Sequence, residues 1–536
     1  MMRACAAQWM TACLVLGVGH ALAHDADVNA AAKTVGKVRF ENTCRPEVQE
    51  KLLRGIAMLH SFWFSGAERT FQDVAADDHQ CMLAAWGFAS ILMANPLDGA
   101  GPPPPQAPRA QAAIDKGRQM TAGTQRERDY LEAVAAYYED FANRPERVRS
   151  AARAKAYEAL AAKYPQDDEA QIFYALYLAS TQQAADQSYS AYLKAAAILE
   201  HQFAKYPDHP GAAHYLLHSY DAPALAQKGV AAAKRYAAIA PDAPHALHMP
   251  SHIFTRVGVW TESAATNRRA ADVALKSNEP DQALHAMDYM TYAYLQLARD
   301  ADARNVFQEA LRVTGTTARM TAPYALGAMQ ARYVLERGDW SAAAKLEPHP
   351  LAAKYPFAEA NIHLARALGA ARTGDAPAAR AELAQLTQRR DALKAAKNDY
   401  WSTEVEVMRL AAAAWTALAE GRPTDALAEM RLAADTEDRN EKHIVTPGRV
   451  LPARELLGEM LLQLKRPAEA LREFKASQIR EPNRFRGLHG AAVAAMESGD
   501  RAKARLHLQQ LVKLAAQGDP RPELSAARAW LREFKD

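Results

Sequence analysis

Near its C-terminal end the chain reads RPAEALREFKASQIREP, residues 466–482. Ala470 is followed four residues later by Phe474, three after that by Ser477, and five after that by Pro482. On a helix such small residues let a second helix approach closely, and the aromatic ring fills the space beneath the next pair. The proline stops the helix before another begins. The stretch therefore predicts the second helix of a packed helical hairpin.

The same frame recurs along the chain. Turns that contain glycine precede it at Gly258-Val-Trp260, Gly338-Asp-Trp340, Gly374-Asp375, Gly421-Arg-Pro423 and Gly499-Asp500. The second-helix spacing repeats at Ala67/Phe71/Val74, Ala303/Phe307/Ala310, Ala379/Leu383/Leu386 and Ala426/Met430/Ala433. From about Pro46 to the end, the pattern resembles the tetratricopeptide repeat (TPR). The resemblance implies an all-α, right-handed α-solenoid of about twelve TPR-like helical hairpins, whose concave groove binds a protein or peptide.

The composition agrees with such a helical chain and excludes one class of partner. The 536 residues are 49% hydrophobic and 24% charged, which is typical of a globular protein. Because 65 Lys and Arg face 62 Asp and Glu, no excess of cations is present to cover a phosphate backbone. We therefore expect no nucleic-acid partner.

The N-terminus predicts export. Residues 1–23 hold Arg3, a short apolar stretch and then Ala21-Leu22-Ala23, as a cleaved signal peptide does. The apolar stretch is shorter than a membrane span, so we expect a periplasmic or secreted protein without a membrane span. Cys5 and Cys13 leave with the signal. The remaining pair, Cys44 and Cys81, is expected to form a disulfide in an oxidising compartment, with two buried free thiols as the alternative.

Domain boundaries follow from these features. Residues 24–45 are expected to be an N-terminal leader, and residues 46–205 to be TPR-like repeats with a proline-rich insertion at 95–108. Residues 206–300 form His-rich central repeats. Residues 301–536 complete the TPR repeats.

Histidine is concentrated in one stretch and follows the repeat. Residues 201–252 hold seven of the 17 histidines. His214 and His218 are each followed, 34 residues later, by His248 and His252. A spacing of i,i+4 places both rings of each pair on one helix face, and neighbouring helices bring the two pairs together. The rings predict a site for one transition metal ion.

The next repeat contributes further candidates. In the frame set by Ala303, Phe307 and Ala310 it carries Asp288 and Tyr292 at the corresponding positions, with His285 one turn earlier. We expect Asp288 and His285 as additional ligands, and Tyr292 and His245 as partners that orient the ligands. Pro250 is expected to kink the helix that carries His248 and His252. A set of imidazoles without thiolate suits Zn, Cu or Fe.

Two other interpretations of these histidines remain open. The rings could bind a ligand through hydrogen bonds without metal, or they could fill the packing between helices.

A second resemblance covers most of the chain. The segments 209–221 and 243–254, together with Leu59-His60-Ser-Phe62 and Cys81…Trp86-Gly87, are similar to the signature of a group of exported bacterial TPR proteins with an HxxxH…HxxHxPSH segment. The resemblance implies the fold and this site, and it names no reaction.

The sequence thus favours an exported TPR binding or scaffold protein whose groove binds a partner or peptide and holds a His-based metal site. The alternative is a metal-dependent enzyme of the hydrolase or oxidase type that uses the same histidines. Nucleotide-binding loops and the motifs Gly-x-Ser-x-Gly and His-Glu-x-x-His are absent from the sequence, so whether the chain is an enzyme stays open.

Overall fold

The computed structural model describes residues 34–317 and 319–534, and every regular element among them is a helix. The predicted signal peptide and residues 24–33 of the predicted leader lie outside the described residues. The N-terminal half contains α1 (Gln49–His60), α2 (Phe64–Asp77), α3 (Met82–Leu92), α4 (Gln106–Arg118), α5 (Gln125–Tyr138), α6 (Glu146–Lys163), α7 (Asp168–Ala179), α8 (Ser190–Lys205), α9 (Pro210–Ser219), α10 (Ala226–Ile239), α11 (Pro244–His248), α12 (Pro250–Arg256) and α13 (Trp260–Lys276).

The C-terminal half contains α14 (Pro280–Gln296), α15 (Asp300–Ala310), α16 (Thr321–Glu336), α17 (Trp340–Ala343), α18 (Pro356–Arg372), α19 (Ala376–Ala395), α20 (Asp399–Ala419), α21 (Pro423–Asp438), α22 (Ala453–Gln463), α23 (Pro467–Arg480), α24 (Phe485–Glu497), α25 (Arg501–Leu514) and α26 (Pro522–Glu533). Two short 3-10 helices, Pro46–Val48 and Ala352–Lys354, complete the secondary structure of the described residues.

Successive helices stack as hairpins. Each second helix packs on its own first helix, and first helices also contact the first helix of the next pair, as in α3 with α5 and α14 with α16. With α11 and α12 counted as one bent helix, the described residues form twelve pairs and the terminal helix α26. The chain is an all-α solenoid of TPR-like hairpins, as the sequence predicts.

Close packing at the aromatic positions explains why the repeat has its spacing. A Cβ atom added to Gly490 of α24 would lie 2.2 Å from the ring of Phe474, and one added to Gly458 of α22 would lie 2.8 Å from it. Phe474 therefore fills the space between its own first helix and that of the next repeat. The predicted turns are confirmed as well, because their glycines adopt left-handed backbone angles, with φ between 65° and 88°.

Two non-helical segments cover the inner layer of first helices. The first follows α3 and ends where α4 begins at Gln106, so the last three residues of the expected insertion, 106–108, belong to a helix. The second, residues 440–452, joins α21 to α22. The segments touch where the ring of His443 donates to the Asp98 carbonyl over 3.1 Å. The Tyr289 hydroxyl in turn donates to the Thr446 carbonyl over 2.9 Å.

The N-terminal strap, residues 34–45, ties the first repeats to the central ones. Val35, Val38 and Phe40 are buried in the main core. Cys44 and Cys81 form a disulfide, as predicted, which fixes the strap to the start of α3. Among the described helices, none combines the length and the apolar character that crossing a bilayer requires.

Candidate metal centre

Three neighbouring first helices carry the central histidines. His214 and His218 lie one turn apart on α9, His285 lies on α14, and the remaining three lie on α11 and α12. Met249, between α11 and α12, keeps helical angles of φ −53° and ψ −36°, so the chain bends at Pro250 without leaving the helical path. His248 and His252 therefore stay one turn apart.

The rings gather into two groups of three. The first triad is His214, His218 and His245, and the second triad is His248, His252 and His285. Within each triad, one ligand atom per residue lies within 4.8 Å of the others. No side chain of the six is more than 6% exposed. The structure thus brings together all of the histidines predicted for the site, and it places His245 among the candidate ligands.

Hydrogen bonds fix the tautomers in the second triad. The amide nitrogen of Asn267 donates to the Ser263 carbonyl, so its oxygen faces His248 and accepts from Nδ1 over 2.7 Å. The Asp221 carboxylate accepts from Nδ1 of His252 over 2.8 Å. A neutral imidazole has one N–H, so both Nε2 atoms carry lone pairs. These two acceptors face each other at 3.0 Å, with no proton to share.

The first triad has a related arrangement. Nδ1 of His214 donates to the His60 carbonyl over 2.6 Å, which leaves its Nε2 as an acceptor 3.0 Å from Nε2 of His218. Nδ1 of His245 lies 3.3 Å from the Gln282 amide oxygen. Nδ1 of His218 and Nε2 of His245 are buried and have no partner. Both triads therefore hold nitrogen atoms that the protein itself does not satisfy.

Burial keeps these rings neutral. It holds the pKa values of His214, His218, His248 and His285 well below the usual 6.5 and lowers the pKa of His245 to about 3. Burial also lowers the pKa of His252, against the opposing effect of Asp221. Metal ligands must be deprotonated, and all six rings meet that requirement near neutral pH.

Asp221 is the carboxylate that contacts the centre, and sequence reasoning missed it. Besides His252 it accepts from Nε of Arg256 over 2.8 Å and from Nζ of Lys442 over 3.0 Å. Although its burial acts in the opposite direction, Lys442 and Arg256 hold the pKa of Asp221 well below its usual value. The one negative charge at the centre is thus matched by two cations.

Asp288 and Tyr292 belong to neither triad. Asp288 forms an ion pair with Arg332 at 2.5 Å, and its burial raises its pKa to about 6. The Tyr292 hydroxyl bonds to Arg484 and Glu481. The helix register places His285 and Tyr289 beside the second triad, one turn earlier than the Ala303 frame indicates.

Tyr289 is therefore the phenol that the sequence should have suggested. Its ring centroid lies 4.7 Å from that of His248 and 5.0 Å from that of His252. The signal was the pair His285/Tyr289 at i,i+4, which repeats the spacing of His248/His252.

A cavity of about 570 Å³ reaches both triads. Its wall includes the third member of each one, His245 and His285, together with Phe62 and parts of the segment between α3 and α4. A second cavity, of about 510 Å³, lies on the other side of Asp221 and is lined by Tyr189, Tyr192 and Lys442. A small molecule thus has a route to the histidines, although the side chains are buried.

A neighbouring group supports the first triad from behind. His60 contacts Glu169 through Nε2 at 2.9 Å and the Tyr215 hydroxyl through Nδ1 at 3.0 Å. His209 also contacts Glu169, at 2.8 Å, and accepts from the Ala212 backbone. Every ring nitrogen here has a partner within the protein. The group therefore positions the His60 carbonyl that fixes His214 and has no nitrogen free for a metal.

Comparison with known proteins gives little beyond this geometry. No family model and no curated protein matches the chain. Among solved structures, the human IFIT1 dimer with m7Gppp-AAAA has a TM-score of 0.37 and 11% identity, covering 86% of this chain and 95% of the other. The APC/C hetero-tetramer Cut9-Hcn1 has a TM-score of 0.30 and 11% identity, covering 92% and 97%. Scores this low carry no argument about this chain, so the fold rests on the hairpins described above.

Proposed function

We propose that this protein is an exported metal-binding protein of the TPR type, in which the two histidine triads hold transition metal. The observation that carries the proposal is the opposed pair of Nε2 acceptors on His248 and His252. At nitrogen–metal bonds of about 2.0–2.1 Å, two nitrogens 3.0 Å apart subtend about 94° at the ion, close to the tetrahedral value. A small outward movement of either ring completes the geometry.

The hydrogen-bond partners of the rings support the same conclusion. Metal-bound histidines in proteins donate their other ring N–H to a carboxylate or carbonyl, which orients the ring and fixes its tautomer. Asn267, Asp221 and the His60 carbonyl do this for three of the six rings. Zinc, copper and iron all suit such imidazole ligands.

Elemental analysis of protein purified without a metal-affinity step tests the proposal. We expect at least about one equivalent of a transition metal per chain, lost in His248→Ala and retained in His363→Ala. His363 is a matched control because it is a buried histidine on α18 that is paired with Glu382 at 2.7 Å. Wild-type protein that is folded but takes up none of these metals from solution would overturn the proposal.

A second candidate function is metal-dependent catalysis of the hydrolase or oxidase type. The observation that favours it is the cavity at His245 and His285, which lets a substrate approach a bound ion. Hydrolysis of an activated ester and oxidation of a phenol by metal-loaded protein test it. Rates that equal those of His248→Ala treated in the same way would exclude catalysis at this site.

The repeat architecture also supports partner binding, which is the most frequent use of helical solenoids. Because residues 440–452 cover part of the inner layer, we propose that a peptide or small partner enters at the cavity lined by Tyr189 and Tyr192. Such binding should be indifferent to chelators and should weaken when these tyrosines are replaced, whereas metal-dependent functions show the opposite response.

A further inference from the structure

The six imidazoles are divided in a way that points to two ions. Each triad has an i,i+4 pair on one helical path and a third ring from elsewhere: His245 completes the α9 pair, and His285 completes the pair on α11 and α12. One ion binds three or four such nitrogens, so each triad suffices for one ion. The triads are adjacent, because the ring centroids of His218 and His252 are 5.6 Å apart and those of His245 and His248 are 5.8 Å apart.

The charge around the triads restricts which ions fit. Asp221 touches the centre but already faces Arg256 and Lys442, and Asp288 is paired with Arg332. The cysteines of the described residues are joined in a disulfide, so they offer no thiolate. A bound ion therefore keeps nearly all of its charge in a buried place, where desolvation is costly.

Monovalent ions reduce this cost most. Two neighbouring divalent ions repel each other about four times as strongly as two monovalent ions at the same separation, because Coulomb energy follows the product of the charges. Among the metals that bind imidazole, copper has a stable monovalent state, and copper also heads the affinity order of the divalent series.

We propose that the two triads form a dinuclear copper centre that binds two Cu(I) ions per chain. The inference rests on the proposed function and adds to it the number of ions and their oxidation state. Each ion has three neutral imidazole ligands, and the cavity at His245 and His285 gives both ions access to solvent and to small ligands.

The test is an anaerobic titration of metal-free full-length protein with Cu(I) in competition with a chromophoric Cu(I) chelator. We expect two ions per wild-type chain, one in His245→Ala, one in His285→Ala, and two in the His363→Ala control. X-ray absorption of the loaded protein should show Cu(I) with only nitrogen or oxygen neighbours. Circular dichroism of the metal-free variants checks folding, and His245→Gln and His285→Gln replace any alanine variant that is unfolded.

The outcomes separate this inference from the proposed function. One Cu(I) per wild-type chain, or two that are indifferent to both substitutions, overturns the dinuclear centre. Binding of Zn(II) or Fe(II) in preference to Cu(I) overturns the cuprous assignment, while metal binding itself stands. If none of the three ions binds, the proposed function fails together with the inference.

Discussion

Replacing Asn267 with leucine should weaken metal binding and leave the metal-free protein nearly unchanged. Asn267 accepts the Nδ1–H of His248 at 2.7 Å and so keeps Nε2 of that ring free of a proton. Without this acceptor the proton can move to Nε2 and be donated to Nε2 of His252, 3.0 Å away. The two rings then satisfy each other, and the lone pair that would bind metal is occupied.

The size of the effect follows from the group that is left unpaired. When metal holds Nε2, the variant keeps a buried Nδ1–H whose nearest alternative acceptor, the Ser251 hydroxyl, is 3.5 Å away. A buried donor without a partner costs about 1–3 kcal/mol, which corresponds to about a 5- to 150-fold loss of affinity. This range agrees with the roughly 10- to 100-fold losses typical of residues that orient metal ligands. Metal-free stability should change by less than about 1.5 kcal/mol, because one buried hydrogen bond replaces another.

Competition titration with a metal chelator measures the affinity, and urea unfolding of the metal-free protein measures the stability. Asn361→Leu is the matched control, since this buried asparagine on α18 also donates to a carbonyl of its own helix, over 3.1 Å to Ala358, and lies outside both triads. The control should change stability without changing affinity. Metal affinity in Asn267→Leu equal to that of the wild type would refute the tautomer argument.

Three further predictions concern the scaffold. Gly490→Ala should destabilise the fold by about 1–3 kcal/mol in urea unfolding through overlap with the Phe474 ring, and much of the loss should be recovered in a Phe474→Leu background; equal losses in both backgrounds would contradict this packing. Burial raises the pKa of Glu437 to about 8 from 4.5, so the folded state binds the extra proton between these values and stability falls as pH rises through them. Glu437→Gln should therefore gain stability over the wild type from pH 5 to pH 9, and a pH-independent difference would contradict the shift. Reducing the disulfide between Cys44 and Cys81, or replacing both with serine, should cost about 4 kcal/mol by the chain-entropy estimate for a sequence separation of 37, as measured by thermal unfolding.

The sequence predicted what local spacing determines. The Ala470/Phe474 frame and the turn glycines are set by contacts between helices adjacent in the chain, so a periodic pattern is enough to find them. The four histidines that are 34 residues apart belong to the same class of signal, and all four lie at the centre.

What the sequence did not show depends on register or on long-range contacts. Helix α14 begins at Pro280, 36 residues after Pro244, whereas Pro244 follows Pro210 by 34. A frame extended backward from Ala303 therefore predicted Asp288 and Tyr292 where His285 and Tyr289 lie. The cover formed by residues 440–452 has no periodic signal, since its contact with Tyr289 spans 157 residues.

The choice between packing and metal binding depends on a contrast within one layer of helices. Next to the first triad, His60 and His209 are buried as deeply as the triad histidines, and every one of their ring nitrogens has a partner in the protein. Histidines that only fill space should resemble these two, because a buried polar atom without a partner is costly. In the triads, by contrast, two nitrogens have no partner and two acceptors face each other. A positive ion between the rings removes both costs at once, whereas closer packing of the same rings removes neither.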